Sequence, residues 1–396
     1  MSKNKRILIV GGSYLQLPAI IKAKKLGLKV AVADYNPDAI GVCYADKYYN
    51  VSTVDEIGIY QVANDFCADG VITLATDMPM RAIAYTCERL GLTGITYDTS
   101  IKTTDKGEMI KAFENNGVDH PWYFILNDVN QVENIESDIT YPCVSKPLDS
   151  SGSRGVVLIE NKDQLRDSIK YSSSYGRSPG IIVQEFLSGK EVSVEILVQR
   201  GVVYILSITD KLTTGPPHFV EIRHSQPSMI DKEIVKRIKQ VATSAVLAVD
   251  ITDGPAHVEI MLTNSGPKVI ELGARMGGDF IASHLVPAST GIDMISKAIS
   301  IACGEKVNIV PKFERGSCIQ YIVGRTGVVR EVNGQKEARE VKGVIETEIL
   351  KQVGDKTLGI CNSHDRLGYI IGQGATAIEA IKVCEEATTY IDLEIE

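Results

Sequence analysis

The first hundred residues alternate between a two-residue and a helical apolar rhythm. Arg6–Val10 predicts a strand that stops at Gly11-Gly12-Ser13, and a helical pattern then runs through Leu26. Leu28–Asp34 and Val71–Leu74 predict further strands, and Arg81–Leu90 predicts a helix closed by Gly91. Strand and helix in alternation indicate a doubly wound α/β unit. From Ile101 the pattern changes. Thr104-Asp105-Lys106 opens a helix to about Asn115, with Thr or Asp as its N-cap. A strand near Trp122–Ile125, a following helix and a short strand at Tyr141–Pro147 come next. The loop Asp149–Gly155 leads into a strand at Val156–Glu160 and a helix at Lys162–Tyr171. Strands then dominate, at Ile181–Phe186, Glu191–Gln199 and Val202–Thr209, each pair joined by a glycine turn. An amphipathic helix, Lys232–Val249, precedes a hairpin centred on Asn264-Ser265-Gly266-Pro267. Helices at Asp293–Cys303 and Ala375–Thr388 flank a last strand-rich stretch.

Composition narrows the class. A chain of 396 residues can build two or three cores. It contains no run of eighteen apolar residues, which argues against a transmembrane helix. The basic start Met-Ser-Lys-Asn-Lys-Arg meets glycine too soon for a signal peptide and reads as the lead into a first strand. Eight scattered cysteines with no Cys-x-x-Cys argue for reduced thiols, a cytoplasmic setting and no zinc site. A net charge of −8 and a pI near 5.5 argue against a nucleic-acid surface. Membrane partners are not expected either.

The hairpin carries the clearest chemistry. Counted outward from Ser265, Glu259 and Glu271 lie opposite each other on one face. Carboxylates roughly 5 Å apart repel unless a cation lies between them. Mg2+, with nucleotide phosphates completing its shell, suits such ligands, and Mn2+ is an acceptable substitute. Arg275 projects near the same place. The plain alternative is two solvated glutamates at a sheet edge. The loop Ser150–Gly155 is either a hairpin connection or a cradle for phosphate oxygens. It is not a Walker loop, since no Lys-Ser/Thr and helix follow. Lys146 enters that loop and Lys106 opens a helix; each is a phosphate contact or a surface lysine. Phe186-Leu187 offers an apolar slot with backbone groups for an adenine edge, and Glu191 a carboxylate for ribose hydroxyls. The other reading is a strand pair with exposed acids. Gly277-Gly278 lets a substrate touch backbone, or is only a loop. His218, Glu221, Arg223 and His224, among prolines, suggest an ordered binding loop for substrate. Gly11-Gly12 without a full Gly-x-Gly-x-x-Gly is a weak dinucleotide signal, although Asp34 stands where a ribose would be held.

In order along the chain, Lys106, Val144-Ser-Lys146-Pro, Ser150–Gly155, Gln184-Glu-Phe-Leu-Ser-Gly-Lys-Glu191, His257-Val-Glu259 and Ile270-Glu271-Leu-Gly-Ala-Arg275 resemble the ATP-grasp superfamily. The likeness is to its carboxylate–amine ligase branch and spans nearly the whole chain. It implies an α/β fold with a Rossmann-like N-terminal domain (1–100), a linker helix and lid with the glycine-rich loop (101–182), a central antiparallel sheet (183–306) and a strand-rich C-terminal subdomain (307–396). It implies that Lys106 and Lys146 contact ATP phosphates. Ser151, Gly152, Ser153 and Gly155 would close over the β- and γ-phosphates. Glu185, Phe186 and Leu187 would form the adenine hinge, Glu191 would hold the ribose, and Glu259 and Glu271 would hold Mg2+. Arg275 would face the acyl phosphate, with Lys146 beside it as a second catalytic group. Glu221, Arg223, His224, Gly277 and Gly278 are the candidates for gripping small carboxylate and amine substrates, amino acids foremost. The family's usual asparagine two residues after the second metal glutamate is replaced here by Gly273, which offers no ligand. Glu271-Leu-Gly-Ala-Arg-Met-Gly-Gly also looks like the subgroup that forms dipeptides. The expected activity is therefore amide formation through an acyl phosphate, in a cytoplasmic enzyme, with a homodimer compatible with the resemblance. A carboxylase or purine-pathway enzyme working through carboxyphosphate is the alternative. A non-catalytic nucleotide-binding module is a third reading.

Overall fold

The computed structural model describes residues 5–150, 152, 154–215 and 218–396. Four strands, β1 (Arg6–Val10), β2 (Lys29–Asp34), β3 (Lys47–Asn50) and β4 (Gly70–Ile72), form a parallel sheet in the order β3-β2-β1-β4. Ile7 and Ile9 point into one core cluster, Leu8 and Val10 into another. Both faces are covered, so β1 is apolar throughout rather than alternating. Strand β3 and the helix Glu56–Phe66 add to the expected elements. That helix is capped by Asp55, whose side chain accepts from Gly58 N, and it buries Ile59, Val62, Ala63 and Phe66 at helical spacing. Asp34 does not wait for a ribose. Its carboxylate accepts from Gly12 N (2.7 Å) and Asn36 N (2.8 Å), fastening the glycine turn.

The second layer is a small antiparallel sheet of β5 (Tyr123–Leu126), β6 (Cys143–Pro147), β7 (Val157–Ile159) and β8 (Ile181–Glu185), in the order β5-β8-β6-β7. The helix Lys162–Ser173 buries Leu165 and Ile169 against it. The helix expected after β5 is only a 3₁₀ turn, Val129–Asn134.

The main sheet has eight strands. Five come from the middle of the chain: β9 (Lys190–Gln199), β10 (Val202–Thr213), β11 (Glu221–Gln226), β12 (Gly254–Thr263) and β13 (Gly266–Gly273). β14 (Gly316–Ile322) continues the sheet, and β15 (Gly327–Asn333) leaves it. β16 (Val344–Ile349), β17 (Lys356–Thr357), β18 (Gly368–Gly374) and β19 (Asp392–Ile395) follow. The eight-stranded order is β13-β12-β9-β10-β11-β14-β18-β16, and β17-β15-β19 form a small separate sheet. The helix Lys232–Ala248 packs Ile238, Ala242 and Val246 into the cluster that holds Val192, Val194 and Val258. Among the described residues no helix is long and apolar enough to cross a membrane, and all eight cysteines are free.

Two β-bulges decide which side chains meet. The β12–β13 turn has two residues, so Thr263 pairs with Gly266 and Ile260 with Val269. Continued without a break, that register would set Glu259 against Ile270. A bulge at Ile270 shifts it, and Glu259 pairs with Glu271. The pairing expected from counting about Ser265 is right, but the turn lies elsewhere and the bulge makes up the difference. The second bulge lies between β10 and β11: His224 pairs with Lys211 and Arg223 with Leu212, but Glu221 pairs with Thr213. Ile222 is the extra residue, which brings Glu221 onto the face of His224 and Lys211.

Candidate active site

The functional side chains gather in one charged cleft between the parallel sheet, the small sheet and the open face of the main sheet. Lys106 starts the helix Lys106–Asn115, where Asp105 caps Gly107 N and Glu108 N. Its Nζ donates to Ser150 O (2.6 Å) and Glu271 Oε1 (3.1 Å). Asp77, Thr104, Lys106, Asp149, Ser150 and Glu271 line a shared pocket. Lys146 lies on β6. Burial pulls its ammonium below the usual value, and nearby Lys106 adds to this while Glu271, Glu259 and Glu191 oppose it. Gly152 and Gly155 have φ of +67° and +76°, a conformation that suits glycine. Ser151 and Ser153 lie outside the described residues.

The carboxylates are already engaged by cations. Lys211, 4% exposed, places Nζ 2.5 Å from Glu191, 3.0 Å from Glu259 and 3.8 Å from Glu221. Burial alone would lower that ammonium, but the three glutamates hold it well above its usual value. Burial would likewise raise the Glu259 carboxyl, but Lys211 and a hydrogen bond from His257 hold it well below the carboxylate range. Sequence reasoning missed Lys211. A lone lysine at the end of a long strand has no distinctive spacing, and its role appears only when four strands assemble.

The donor set fits a hard divalent cation. Glu259 and Glu271 supply paired carboxylates, each now accepting from an ammonium that stands where a cation would sit. Among the described residues no three His, Cys, Asp or Glu side chains gather to hold a metal alone, so oxygens from a bound nucleotide would have to complete the shell. Gly273 has a visible reason. A Cβ there would come 2.7 Å from Asp77 Oδ1 and 3.0 Å from Arg275 Nε. The room an asparagine would need is occupied by an ion pair: Arg275 Nε and Nη2 donate to the two Asp77 oxygens at 3.1 and 3.3 Å. Arg275 thereby rises above its usual pKa against the pull of burial, with Asp77 first among the causes and Glu259 and Glu271 adding to it.

On the same face, deeper in, Glu195, fully buried, pairs with His257 Nδ1 at 2.6 Å and accepts from Gly277 N at 3.2 Å. Burial opposes both charges, yet each holds the other: Glu195 is lowered and His257 is pushed up to about 9. Gly277 is required here, because a Cβ would lie 2.7 Å from Glu195 Oε2 and 2.8 Å from His257 Nδ1. Gly278 follows on the same loop.

At the other end of the cleft Glu185 accepts from Lys268 (2.7 Å), which ties β8 to the hairpin. Phe186 and Leu187 follow it, and the Phe186 ring lies 6.3 Å from that of Phe219. The segment expected to be a binding loop is mostly strand β11. The Ile222 bulge brings Glu221 to the cleft side with His224, while Arg223, next to His224 in unbroken strand, faces away and pairs with Glu385 of the last helix (3.0 Å). Arg223 is therefore not gathered with the other candidates. Instead Arg366, next to β18, reaches in. It donates to both oxygens of Asp279 (3.0 and 2.9 Å) and to Glu221 (3.3 Å), stacked 3.7 Å over the Tyr321 ring.

The chain is similar to proteins of known families. A family model described as "ATP-grasp domain" matches residues 139–283, and one described as "L-amino acid ligase C-terminal domain 2" matches residues 320–396. The chain is 27% identical to the alanine–anticapsin ligase of Bacillus subtilis (strain 168) over 308 residues, which is 72% of this chain and 64% of that protein. It is 22% identical to an L-arginine-specific L-amino acid ligase of Bacillus subtilis over 271 residues, 67% of this chain and 65% of that one. The matched stretches thus span slightly less than two thirds of those relatives. Among solved structures, the L-amino acid ligase of Bacillus licheniformis superposes with a TM-score of 0.85 at 23% identity, covering all of both chains. The chain therefore has the ATP-grasp fold, with a match to the ATP-grasp domain at residues 139–283 and to the C-terminal domain 2 of L-amino acid ligases at residues 320–396.

Proposed function

We propose that the protein is an ATP-dependent carboxylate–amine ligase that joins amino acids through an acyl phosphate, releasing ADP and phosphate. The observation that carries this reading is the Glu259–Glu271 pair with Arg275 at its edge. A pure nucleotide binder has no use for an arginine poised beside the metal carboxylates. In this reading Glu259 and Glu271 hold Mg2+, which supplies charge neutralisation on the phosphates. Lys106, Lys146 and the Ser150–Gly155 loop draw negative charge off the transferred phosphoryl group. Phe186, Leu187 and Phe219 take the adenine, with Glu185 at the hinge, and Glu191 takes the ribose. A substrate carboxylate attacks the γ-phosphorus, giving an acyl phosphate. An amine attacks the acyl carbon, Arg275 and the backbone near Gly277 and Gly278 receive the oxyanion, and phosphate leaves. Lid closure keeps water from the intermediate. In this reading the enzyme works in the cytoplasm, in keeping with its unpaired cysteines.

The test is ADP and phosphate release with Mg2+ and ATP across a matrix of paired L-amino acids, with bicarbonate as a separate arm. Release that needs an amino-acid pair, with a new amide mass, supports the reading. Release that responds to bicarbonate alone would replace it with carboxyphosphate chemistry.

A further inference from the structure

His224 is 1% exposed on β11, and its Nε2 lies 3.1 Å from Asp279 Oδ2. Burial would raise the Asp279 carboxyl, but His224 and the Arg366 guanidinium hold it well below the usual range. An ionised carboxylate only accepts hydrogen bonds, so Nε2 carries a proton, and the tautomer this selects has its lone pair at Nδ1. That Nδ1 is buried and has no hydrogen-bond partner among the described residues. The Tyr321 ring packs edge-on against His224 at 6.2 Å. A buried ring nitrogen left without a partner calls for an explanation, and a catalytic role is one. Lys211, Glu221, Asp279, Arg366 and Tyr321 are the ionisable groups around the ring. Lys211, ion-paired with both Glu221 and Glu259, links this corner to the carboxylate pair.

Resting on the ligase reading, we propose that His224 is the base that frees the attacking amine, with Asp279 as the positioning residue that fixes its tautomer. An amino acid arrives with its amine protonated. The ammonium gives one proton to Nδ1 and its lone pair forms the C–N bond to the acyl carbon. The C–O bond to phosphate then breaks, and the second amine proton leaves with the phosphate. Orphaned Nδ1 is the acceptor this step needs.

The test compares two amines in His224→Gln. An amino-acid amine is protonated at neutral pH and needs a base; hydroxylamine is largely unprotonated and does not. The expected result is a fall of about 10²-fold or more in amide formation with hydroxamate formation near that of the parent. Retained hydroxamate formation also certifies a folded ATP site. Asp279→Asn, which leaves the ring in place, should show the same split more weakly. Equal loss with both amines, or loss with neither, overturns the inference. A parent protein that makes neither product contradicts the ligase reading itself and removes the basis for this one.

Discussion

The β12–β13 hairpin and the β10–β11 pair both depend on one inserted residue, yet only the hairpin could be read in advance. In the hairpin, Ile270 shifts the register so that two identical carboxylates face each other. In β10–β11, Ile222 brings Glu221 round to the face of His224, opposite Arg223. The first bulge completes a symmetric motif that sequence spacing already suggests. The second mixes unlike residues and breaks the alternation that spacing arguments rely on. Bulges beside active sites re-aim side chains, and their outcome is visible only in the assembled sheet.

The largest effects should come from the hairpin. Arg275→Ala should reduce amide formation by about 10²–10³-fold, the scale for losing one preorganised oxyanion group. ATP affinity, measured by calorimetry, should hold. Lys211→Met tests the shared centre of the two regions. It removes the one ammonium touching Glu191, Glu221 and Glu259, and should destabilise the ligand-free protein by about 3–5 kcal/mol in urea unfolding. Added Mg2+ and ATP should recover more stability in this variant than in the parent, since they resupply positive charge. An unchanged urea midpoint would show that the three carboxylates do not need Lys211.

Smaller effects sharpen the contrast. Gly277→Ala pushes a methyl against Glu195 and His257 and should cost about 1–3 kcal/mol, read as a lowered Tm. The pH dependence of that pair has a definite sign. His257 is raised from 6.5 to about 9, so its contribution is complete below about pH 6.5 and lost as pH rises through 9. Glu195 is lowered, so its share is lost instead as pH falls below the carboxylate range. The stability difference between parent and His257→Gln should therefore shrink from pH 6.5 to pH 9.5. Smallest of all, Arg223→Ala should leave the KM for either substrate nearly unchanged, because its partner is Glu385 on the far side. A large KM effect would contradict the facing assigned by the Ile222 bulge.

The sequence carried the strand-and-helix alternation around β1 and the strands of the small sheet, because local apolar patterning encodes both. It also carried Lys106, Lys146, Glu191, Glu259, Glu271 and Arg275, because each stands in a spaced motif. Lys211, Asp77, Asp279 and Arg366 were not readable. Each owes its place to partners on other elements, such as Glu259, 48 residues from Lys211, and Arg275, 198 residues from Asp77. Gly273 looked like a lost ligand, and only the Asp77–Arg275 pair beside it gives its absent side chain a purpose.

The most direct test of amide formation through an acyl phosphate follows the oxygen. An amino acid labelled with ¹⁸O in its carboxyl group is supplied with ATP, Mg2+ and the amine partner, and the released phosphate is weighed. Acyl phosphate chemistry predicts that one labelled oxygen passes from the carboxyl group to phosphate as the amide forms. Unlabelled phosphate alongside amide product would contradict it.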